Sequence, residues 1–249
     1  MRGMHILPVI DLLDGQVVRA VAGERARYRP VRSRLAGDAD PVAVAAALLE
    51  LAPFAAVYVA DLDAIAGDGS PRNLDSLQRL GAVLGRRGVG ELWLDAGRAA
   101  WTGELAARLA ARGVALVPVT GSESLAAGEQ PSVPSAGILS LDHRAGSFIG
   151  PPGLELDARR WPRRVLAMEL AGVGMRRGPP RELLAALRGR AREAGRDDIA
   201  LYAGGGVRDA ADLARLEADG VAGALVATAL HDGSLDAAAL RPFFAGAAA

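Results

Sequence analysis

The sequence contains no cysteine and only three histidines, His5, His143 and His231. Without cysteine there can be no disulfide bond, no thiolate nucleophile and no cysteine metal site. The histidines are widely separated and form no HExxH motif, the spacing by which two helical histidines bind zinc. We therefore predict neither a metal site nor a cofactor.

The sequence also lacks an excess of charge and any long apolar run. Its 29 basic and 29 acidic residues balance to zero, whereas proteins that bind nucleic acid or membrane surfaces usually carry a basic excess. No apolar run approaches the roughly 18 residues of a membrane span, and the N-terminus shows no signal pattern. We expect a cytoplasmic protein that binds a small molecule, as a monomer or a homodimer, with no nucleic-acid or membrane partner.

What the sequence does contain is a regular alternation of short apolar runs with Ala-, Leu- and Arg-rich segments of helical period. Continuous apolar runs are typical of parallel strands covered on both faces. Eight such units without a break in composition predict an α/β fold, a single (β/α)8 TIM barrel over residues 1–249, with a doubly wound sheet as the alternative. The predicted strands are residues 5–10, 56–60, 91–94, 115–119, 137–141, 164–168, 200–203 and 222–226, and the predicted helices are 41–51, 74–85, 103–112, 180–194 and 210–218.

Three stretches fit this alternation less well. The first strand is followed by a long Arg-rich connection at about residues 19–40, and loops of that length are usually functional lids or disordered. The arginines of segment 25–34 have two interpretations, a solvated loop or a lid that clamps an anionic substrate. Segments 122–135 and 146–160 are rich in Gly, Pro and Ser, which predicts irregular structure.

Polar residues stand at the ends of the predicted strands, where a TIM barrel keeps its catalytic groups. Asp11 ends the first strand and Asp142 the fifth, so the two face each other across the mouth of an eight-stranded barrel. Such a pair suits general acid–base catalysis, although Asp11 could instead only cap its strand. Further candidate substrate-binding residues at or near strand ends are Arg19, Asp61, Asp95, Gly97, Thr120, Arg144 and Glu169.

A run of three glycines, Gly204, Gly205 and Gly206, follows the seventh strand and precedes a predicted helix. Consecutive glycines let backbone amides approach an anion, and a helix N-terminus adds a favourable dipole. This position is a recurrent phosphate site in TIM barrels. Together with Ala227 and Thr228 at the end of the eighth strand, the glycines predict phosphate binding.

Several segments resemble the histidine-biosynthesis barrel family, which contains an isomerase of phosphoribosylformimino-aminoimidazole-carboxamide ribotide and its sister cyclase. They are LPVIDLLDGQVVR, VADLDAIAG, SLDHRAG, AGGGVRD and GALVATALHDG. The resemblance implies a ribulose-phosphate-binding barrel built from two half-barrel repeats. It also implies an Amadori-type conversion of an aminoaldose to an aminoketose, with Asp11 as general base and Asp142 as general acid. The two substrate phosphates would bind at glycine-rich ends of the third and seventh strands.

The sequence departs from that family at the third strand, where Asp95–Ala96–Gly97 replaces a glycine triplet. A carboxylate there repels a phosphate. The segment after the sixth strand is also apolar, Val173–Gly174–Met175, and the eighth strand ends in Ala227–Thr228. We therefore predict a sugar-phosphate isomerase whose substrate carries one phosphate rather than two.

Two alternatives to this isomerase stay open. Segment 25–33, RARYRPVRS, resembles a related group found in organisms that use methanopterin-type one-carbon cofactors. An isomerase, lyase or synthase of methanopterin- or methanofuran-type cofactor biosynthesis is therefore one alternative. The other is a catalytically inactive barrel that kept an anion site for regulation.

Overall fold

The computed structural model describes residues 3–67, 72–97, 102–129 and 131–245, and these form one closed barrel. Eight parallel strands, β1, β4, β5, β6, β7, β9, β10 and β11, follow one another around the barrel, and pairing of β11 with β1 closes it. The predicted (β/α)8 fold is thus confirmed, and the doubly wound alternative is wrong. In chain order the strands are β1 (His5–Leu13), β2 (Gln16–Arg19), β3 (Arg29–Pro30), β4 (Ala56–Asp61), β5 (Glu91–Asp95), β6 (Ala115–Gly121), β7 (Ile138–Arg144), β8 (Ser147–Ile149), β9 (Arg164–Glu169), β10 (Ala200–Gly204) and β11 (Gly223–Val226).

Helices cover most of the outside of the barrel, as the apolar periodicity predicts. Asp40 and Asp209 cap two of them, since their carboxylates accept hydrogen bonds from amides of the first helical turn. Within the described ranges the α-helices are α1 (Pro41–Leu48), α2 (Leu62–Ala66), α3 (Leu74–Arg86), α4 (Thr102–Ala110), α5 (Arg181–Glu193), α6 (Ala210–Ala218), α7 (Thr228–His231) and α8 (Ala237–Phe244). None of them is long and apolar enough to cross a membrane.

The connections after β6 and β7 contain no α-helix in the part of the chain that the structure describes. Short 3₁₀ helices stand there instead, at Ser122–Ser124, Leu154–Leu156 and Ala158–Arg160. The irregular structure predicted for segments 122–135 and 146–160 is therefore confirmed for their described residues, except at the short strand β8 (Ser147–Ile149).

The inside of the barrel is filled at the end where the strands begin. Trp93 and Tyr202 pack edge to face there, with ring centroids 4.8 Å apart. Arg164 lies over the Trp93 ring at 5.4 Å and pairs with Glu91 at 3.0 Å. Because this end is closed by packed side chains, a ligand enters from the opposite end, where the strands finish.

The connection after β1 folds over that open end. β2 pairs antiparallel with β1 and then with β3, which makes a small hairpin of part of the long Arg-rich segment. Between β2 and β3 the chain crosses the barrel mouth, and the Ala22 amide donates a hydrogen bond to the Val173 carbonyl, at 2.9 Å. The segment predicted as a loop at 19–40 is thus partly regular and covers the mouth.

Candidate active site

A cavity of about 310 Å³ lies at the mouth, beneath the connection after β1. Three aspartates line it, Asp11 on β1, Asp95 on β5 and Asp142 on β7. Alternate residues of a strand point to opposite faces of the sheet. Each of these aspartates is at one of the alternate positions whose side chains point into the barrel, which we call the inward parity of the strand. The cavity therefore has acidic groups on three of the eight barrel strands.

Asp142 is 4% exposed and held by neighbouring donors. Ser140 Oγ donates to Oδ1 at 2.5 Å, and the Glu123 amide donates to Oδ2 at 3.0 Å. Burial raises the pKa of the Asp142 carboxyl to about 7, against these hydrogen bonds, which lower it. The group is thus fixed in position and can hold or release a proton near neutral pH.

Asp11 lies across the barrel from Asp142, since β1 and β7 are the first and fifth barrel strands. No described residue donates a hydrogen bond to its carboxylate, and its pKa is raised to about 7 by burial. Its lone pairs are consequently open to a ligand in the cavity. This arrangement suits a base that takes a proton from that ligand.

Asp95 is 8% exposed and faces the cavity from the third barrel strand. The Tyr58 hydroxyl donates to Oδ2 at 3.4 Å and the Gly97 amide to Oδ1 at 3.2 Å. Burial raises the pKa of this carboxyl to about 6. Asp95 and Asp142 converge at Gly121, because a Cβ at Gly121 would lie 3.5 Å and 3.2 Å from their respective Oδ2 atoms.

The opposite side of the cavity, at the ends of β10 and β11, presents backbone amides. Gly205 and Gly206 have φ angles of +93° and +84°, and a Cβ on Gly206 would overlap the Gly178 carbonyl oxygen. The amides of Gly205, Gly206 and Val207 have no acceptor among the described residues. Successive free amides of this kind can bind an anion, and the Thr228 hydroxyl lines the same cavity.

Most of the predicted site residues are brought together here. Arg19 lines a smaller adjoining cavity of about 130 Å³ and donates to the Gly174 carbonyl at 3.2 Å. The main cavity is lined by Asp11, Asp95, Asp142, Arg144, Gly205, Gly206, Ala227 and Thr228.

Five predicted binding residues do not line the cavity. Asp61, Thr120 and Glu169 have the outward parity of β4, β6 and β9, because their neighbours Ala60, Val119 and Met168 point inward. Asp61 caps α2 and accepts from Asn73 Nδ2 at 2.6 Å, and Glu169 accepts from the Ala145 and Ala171 amides at 3.0 Å. Gly204 packs against the side chain of Met168. The Gly97 amide donates a hydrogen bond to Asp95 Oδ1 and so contacts the cavity only through that carboxylate.

Several polar residues of the cavity, among them Tyr58, Arg25, Tyr28 and Glu123, were not among the predicted site residues. Tyr58 lies two residues before Ala60, and the inward parity of β4 would have revealed it. Arg25, Tyr28 and Glu123 come from connections, where no periodicity exists to predict which side chain points inward. In the described chain no group of three or more His, Cys, Asp or Glu residues is arranged to hold a metal ion.

Comparisons with known proteins identify relatives of this chain. The profile of a family described as histidine biosynthesis protein matches residues 5–87 and 158–236. A relative from Xanthomonas campestris pv. campestris, 30% identical over 93% of this chain and 96% of its own length, is named 1-(5-phosphoribosyl)-5-((5-phosphoribosylamino)methylideneamino) imidazole-4-carboxamide isomerase. A protein of the same name from Halobacterium salinarum is 29% identical over 92% of each chain. An uncharacterized protein of Methanocaldococcus jannaschii is 26% identical over 94% of this chain and 96% of its own.

Solved structures support the same fold. A mutant tryptophan synthase α-subunit from Pyrococcus furiosus superposes with a TM-score of 0.51 at 15% identity, covering 98% of this chain and 96% of that one. Tryptophan synthase from M. tuberculosis gives a TM-score of 0.52 at 17% identity, covering 97% and 90%. At such identities the likeness concerns the barrel alone.

Proposed function

Because this chain belongs to the histidine biosynthesis protein family, we propose that it is an isomerase that moves a proton within a phosphorylated amino sugar. Relatives of nearly full length are named as phosphoribosyl imidazole-carboxamide isomerases. Asp11 is the general base and Asp142 the general acid. The observation that carries the proposal is this pair of opposed carboxyls, each with a pKa of about 7.

The proposed reaction uses the two carboxyls in sequence. Protonated Asp142 donates its proton to the ring oxygen of an aminoaldose, and the C1–O bond breaks to give an open-chain protonated imine. Ionised Asp11 then removes the proton from the neighbouring carbon C2, which gives an enolamine. The C2 hydroxyl of the enolamine returns a proton to Asp142, and Asp11 delivers its proton to C1, so that the aminoketose forms and both carboxyls regain their starting states. One carboxyl must start protonated and the other ionised, which pKa values near 7 allow at neutral pH.

A single phosphate is proposed for the substrate. The amides at Gly205 and Gly206 and the Thr228 hydroxyl supply donors at one end of the cavity. Asp95 occupies the other end, where a second phosphate would meet a buried carboxylate with no compensating cation within ion-pair distance among the described residues. Two like charges in such a place repel strongly.

An isomerisation assay tests the proposal. The wild-type protein and Asp11→Asn are incubated with aminoaldoses that carry one or two phosphates, and the aminoketose is measured by NMR. We expect turnover of the one-phosphate compound, reduced about 10²- to 10⁴-fold in Asp11→Asn, as is usual when a general base is lost.

Three results would contradict the proposal. Full activity of Asp11→Asn would exclude Asp11 as the base, and rescue of a strain that lacks the histidine-pathway isomerase would contradict the single phosphate. Phosphate binding without any turnover would favour the inactive regulatory barrel. Assignment to one-carbon cofactor biosynthesis stays a prediction from the sequence.

A further inference from the structure

We propose that the substrate carries a protonated amine at the end remote from its phosphate, and that Asp95, Tyr58 and Tyr28 bind this amine. The inference rests on the proposed function, because it requires a phosphate to be held at Gly205 and Gly206. It goes further by naming the chemistry of the other end of the substrate.

The two ends of the cavity differ in charge because of their positions around the barrel. β5 and β6 are the third and fourth barrel strands, and β10 and β11 are the seventh and eighth, so each end faces the other across the mouth. The β10–β11 end offers amide and hydroxyl donors, and the β5–β6 end offers carboxylate acceptors. A ligand that spans the mouth therefore needs unlike groups at its two ends.

At the acidic end, the carboxylates have few cations to balance them. Arg25 lies 3.9 Å from Glu123, and both side chains are about one-third exposed, so this pair is at the edge of the site. Arg144 and Arg176 also line the cavity, but no described cation lies within ion-pair distance of Asp95 or Asp142. The Oδ2 atoms of these two aspartates converge at Gly121, so two carboxyl groups face one point of the cavity and Asp95 supplies negative charge there even while Asp142 holds its proton.

The Tyr28 hydroxyl is an independent indication of a ligand at this place. Tyr28 is 8% exposed and lines the cavity, yet no described residue forms a hydrogen bond with its hydroxyl. A phenol oxygen that lines a cavity without a protein partner is available to a ligand, as a donor or an acceptor. Burial raises the pKa of Tyr28 to about 12, with smaller raising effects of Asp11 and Glu123 and lowering effects of Arg25 and Arg144. Glu123 also raises the pKa of Asp95, so Tyr28 and Asp95 share this acidic neighbour.

An ammonium group fits these partners. It has three donors, and Asp95, Tyr58 and Tyr28 supply a carboxylate and two phenol oxygens as acceptors. Tyrosine rings also attract cations through their faces. A neutral methyl end would leave the Asp95 carboxylate unpaired, and a second phosphate would be repelled by it.

Binding of three probe series to the full-length protein tests the inference. The probes are aminoalkyl phosphates, alkyl phosphates and alkane diphosphates with matched chains of three to six carbons, measured by isothermal titration calorimetry at pH 8. We expect the best aminoalkyl phosphate to bind at least about 10-fold more tightly than the alkyl phosphate of the same length. The diphosphate is expected to be the weakest of the three.

Variants assign the preference to named residues. Asp95→Asn keeps the size of the side chain and removes its charge, and we expect the amine preference to fall below about 3-fold. Tyr28→Phe removes only the unpaired hydroxyl and is expected to reduce the preference by about 3-fold while alkyl phosphate affinity stays the same. Asp75→Asn, on the exposed face of α3, is the matched control and should leave the preference unchanged.

The outcomes separate this inference from the proposed function. Equal affinity of aminoalkyl and alkyl phosphates overturns the inference alone, as does a preference that survives in Asp95→Asn. Tightest binding of the diphosphate overturns both the amine and the single phosphate. If the wild-type protein binds no phosphate ester and no inorganic phosphate, there is no anion site at Gly205 and Gly206, and both the proposed function and this inference are wrong.

Discussion

At the scale of single residues, the glycine at the end of β6 determines how close two carboxyls can come. Gly121 has an ordinary φ of −74°, so its backbone conformation does not require glycine. Space is what favours glycine here, since a Cβ would stand in a tight contact 3.2 Å from Asp142 Oδ2, and in an ordinary contact 3.5 Å from Asp95 Oδ2. The arrangement of the acidic groups thus depends on a residue that has no chemistry of its own.

Replacing this glycine should displace Asp142. We expect Gly121→Ala to cost about 1–3 kcal/mol of stability, as added methyl groups in packed sites do, and to lower isomerase turnover more than substrate affinity. Circular dichroism melts and steady-state kinetics measure the two effects. Gly189→Ala in α5 is the control, because a Cβ there meets no atom within 4 Å; an equal loss in that variant would contradict the steric explanation.

The sequence allows the inward residues of the strands to be predicted, because alternation along a strand is strict. The inward orientation of Asp11, Asp95 and Asp142 can be predicted from their positions at the strand ends and from the alternation of side chains along each strand. The same alternation excludes Asp61 and Glu169 from the cavity, although their positions at strand ends had made them candidate substrate-binding residues. Tyr28 could not be predicted, since its position depends on how a long connection crosses the barrel rather than on a period in the sequence.

At the scale of secondary-structure elements, Glu169 joins two connections at the rim of the mouth. Its Oε1 accepts from the Ala145 and Ala171 amides at 3.0 Å, and Oε2 accepts from Gly146 at 3.3 Å. The first connection is the β7–β8 turn that carries Arg144, and the second follows β9. A residue predicted as a substrate ligand therefore serves here as a positioning residue.

Removing this carboxylate should loosen both connections. We expect Glu169→Ala to speed hydrogen exchange of the Ala145, Gly146 and Ala171 amides at least about 5-fold, and to cost about 1–3 kcal/mol for the lost hydrogen bonds. Exchange measured by NMR or mass spectrometry reports the effect. The control is Glu182→Ala, at an exposed position of α5; unchanged exchange at the three amides would show that Glu169 does not hold them.

The elements themselves were largely predictable. The helix over Ala210–Ala218 matches its predicted bounds, because Asp209 provides a clear N-cap and apolar residues recur at helical spacing. The Gly/Pro/Ser content of the connections after β6 and β7 likewise indicated the lack of α-helix. The β2–β3 hairpin was not predicted, since Pro30 and the charged residues around it lack the alternation of a strand.

At the scale of the whole molecule, the buried carboxyls make folding depend on pH. Asp11, Asp95 and Asp142 have folded-state pKa values of about 7, 6 and 7, well above 3.8. Between about pH 4 and pH 7 the folded protein keeps protons that the unfolded chain has released. By linkage, this contribution to stability is present at low pH and is lost as the pH rises through 7.

A triple variant isolates this contribution from the rest of the protein. We expect Asp11→Asn/Asp95→Asn/Asp142→Asn to gain thermal stability relative to wild type as the pH is raised from 5 to 8, widening the Tm difference by at least about 3 °C. Melts across this range measure it. Asp40, Asp157 and Asp198, whose pKa values are lowered, are unchanged in both proteins and cancel. A constant Tm difference would contradict the raised pKa values.

The unlike ends of the cavity have a consequence for the direction in which a substrate enters. Carboxyls on the first and fifth strands are related by an approximate twofold axis along the barrel. A ligand with two identical ends could therefore bind in two orientations, in which Asp11 and Asp142 would exchange the roles of base and acid. Amides on one side and Asp95 on the other remove that ambiguity. In the proposed reaction, each bound molecule therefore presents the same face to the same aspartate, and one handedness of proton transfer is expected at every turnover.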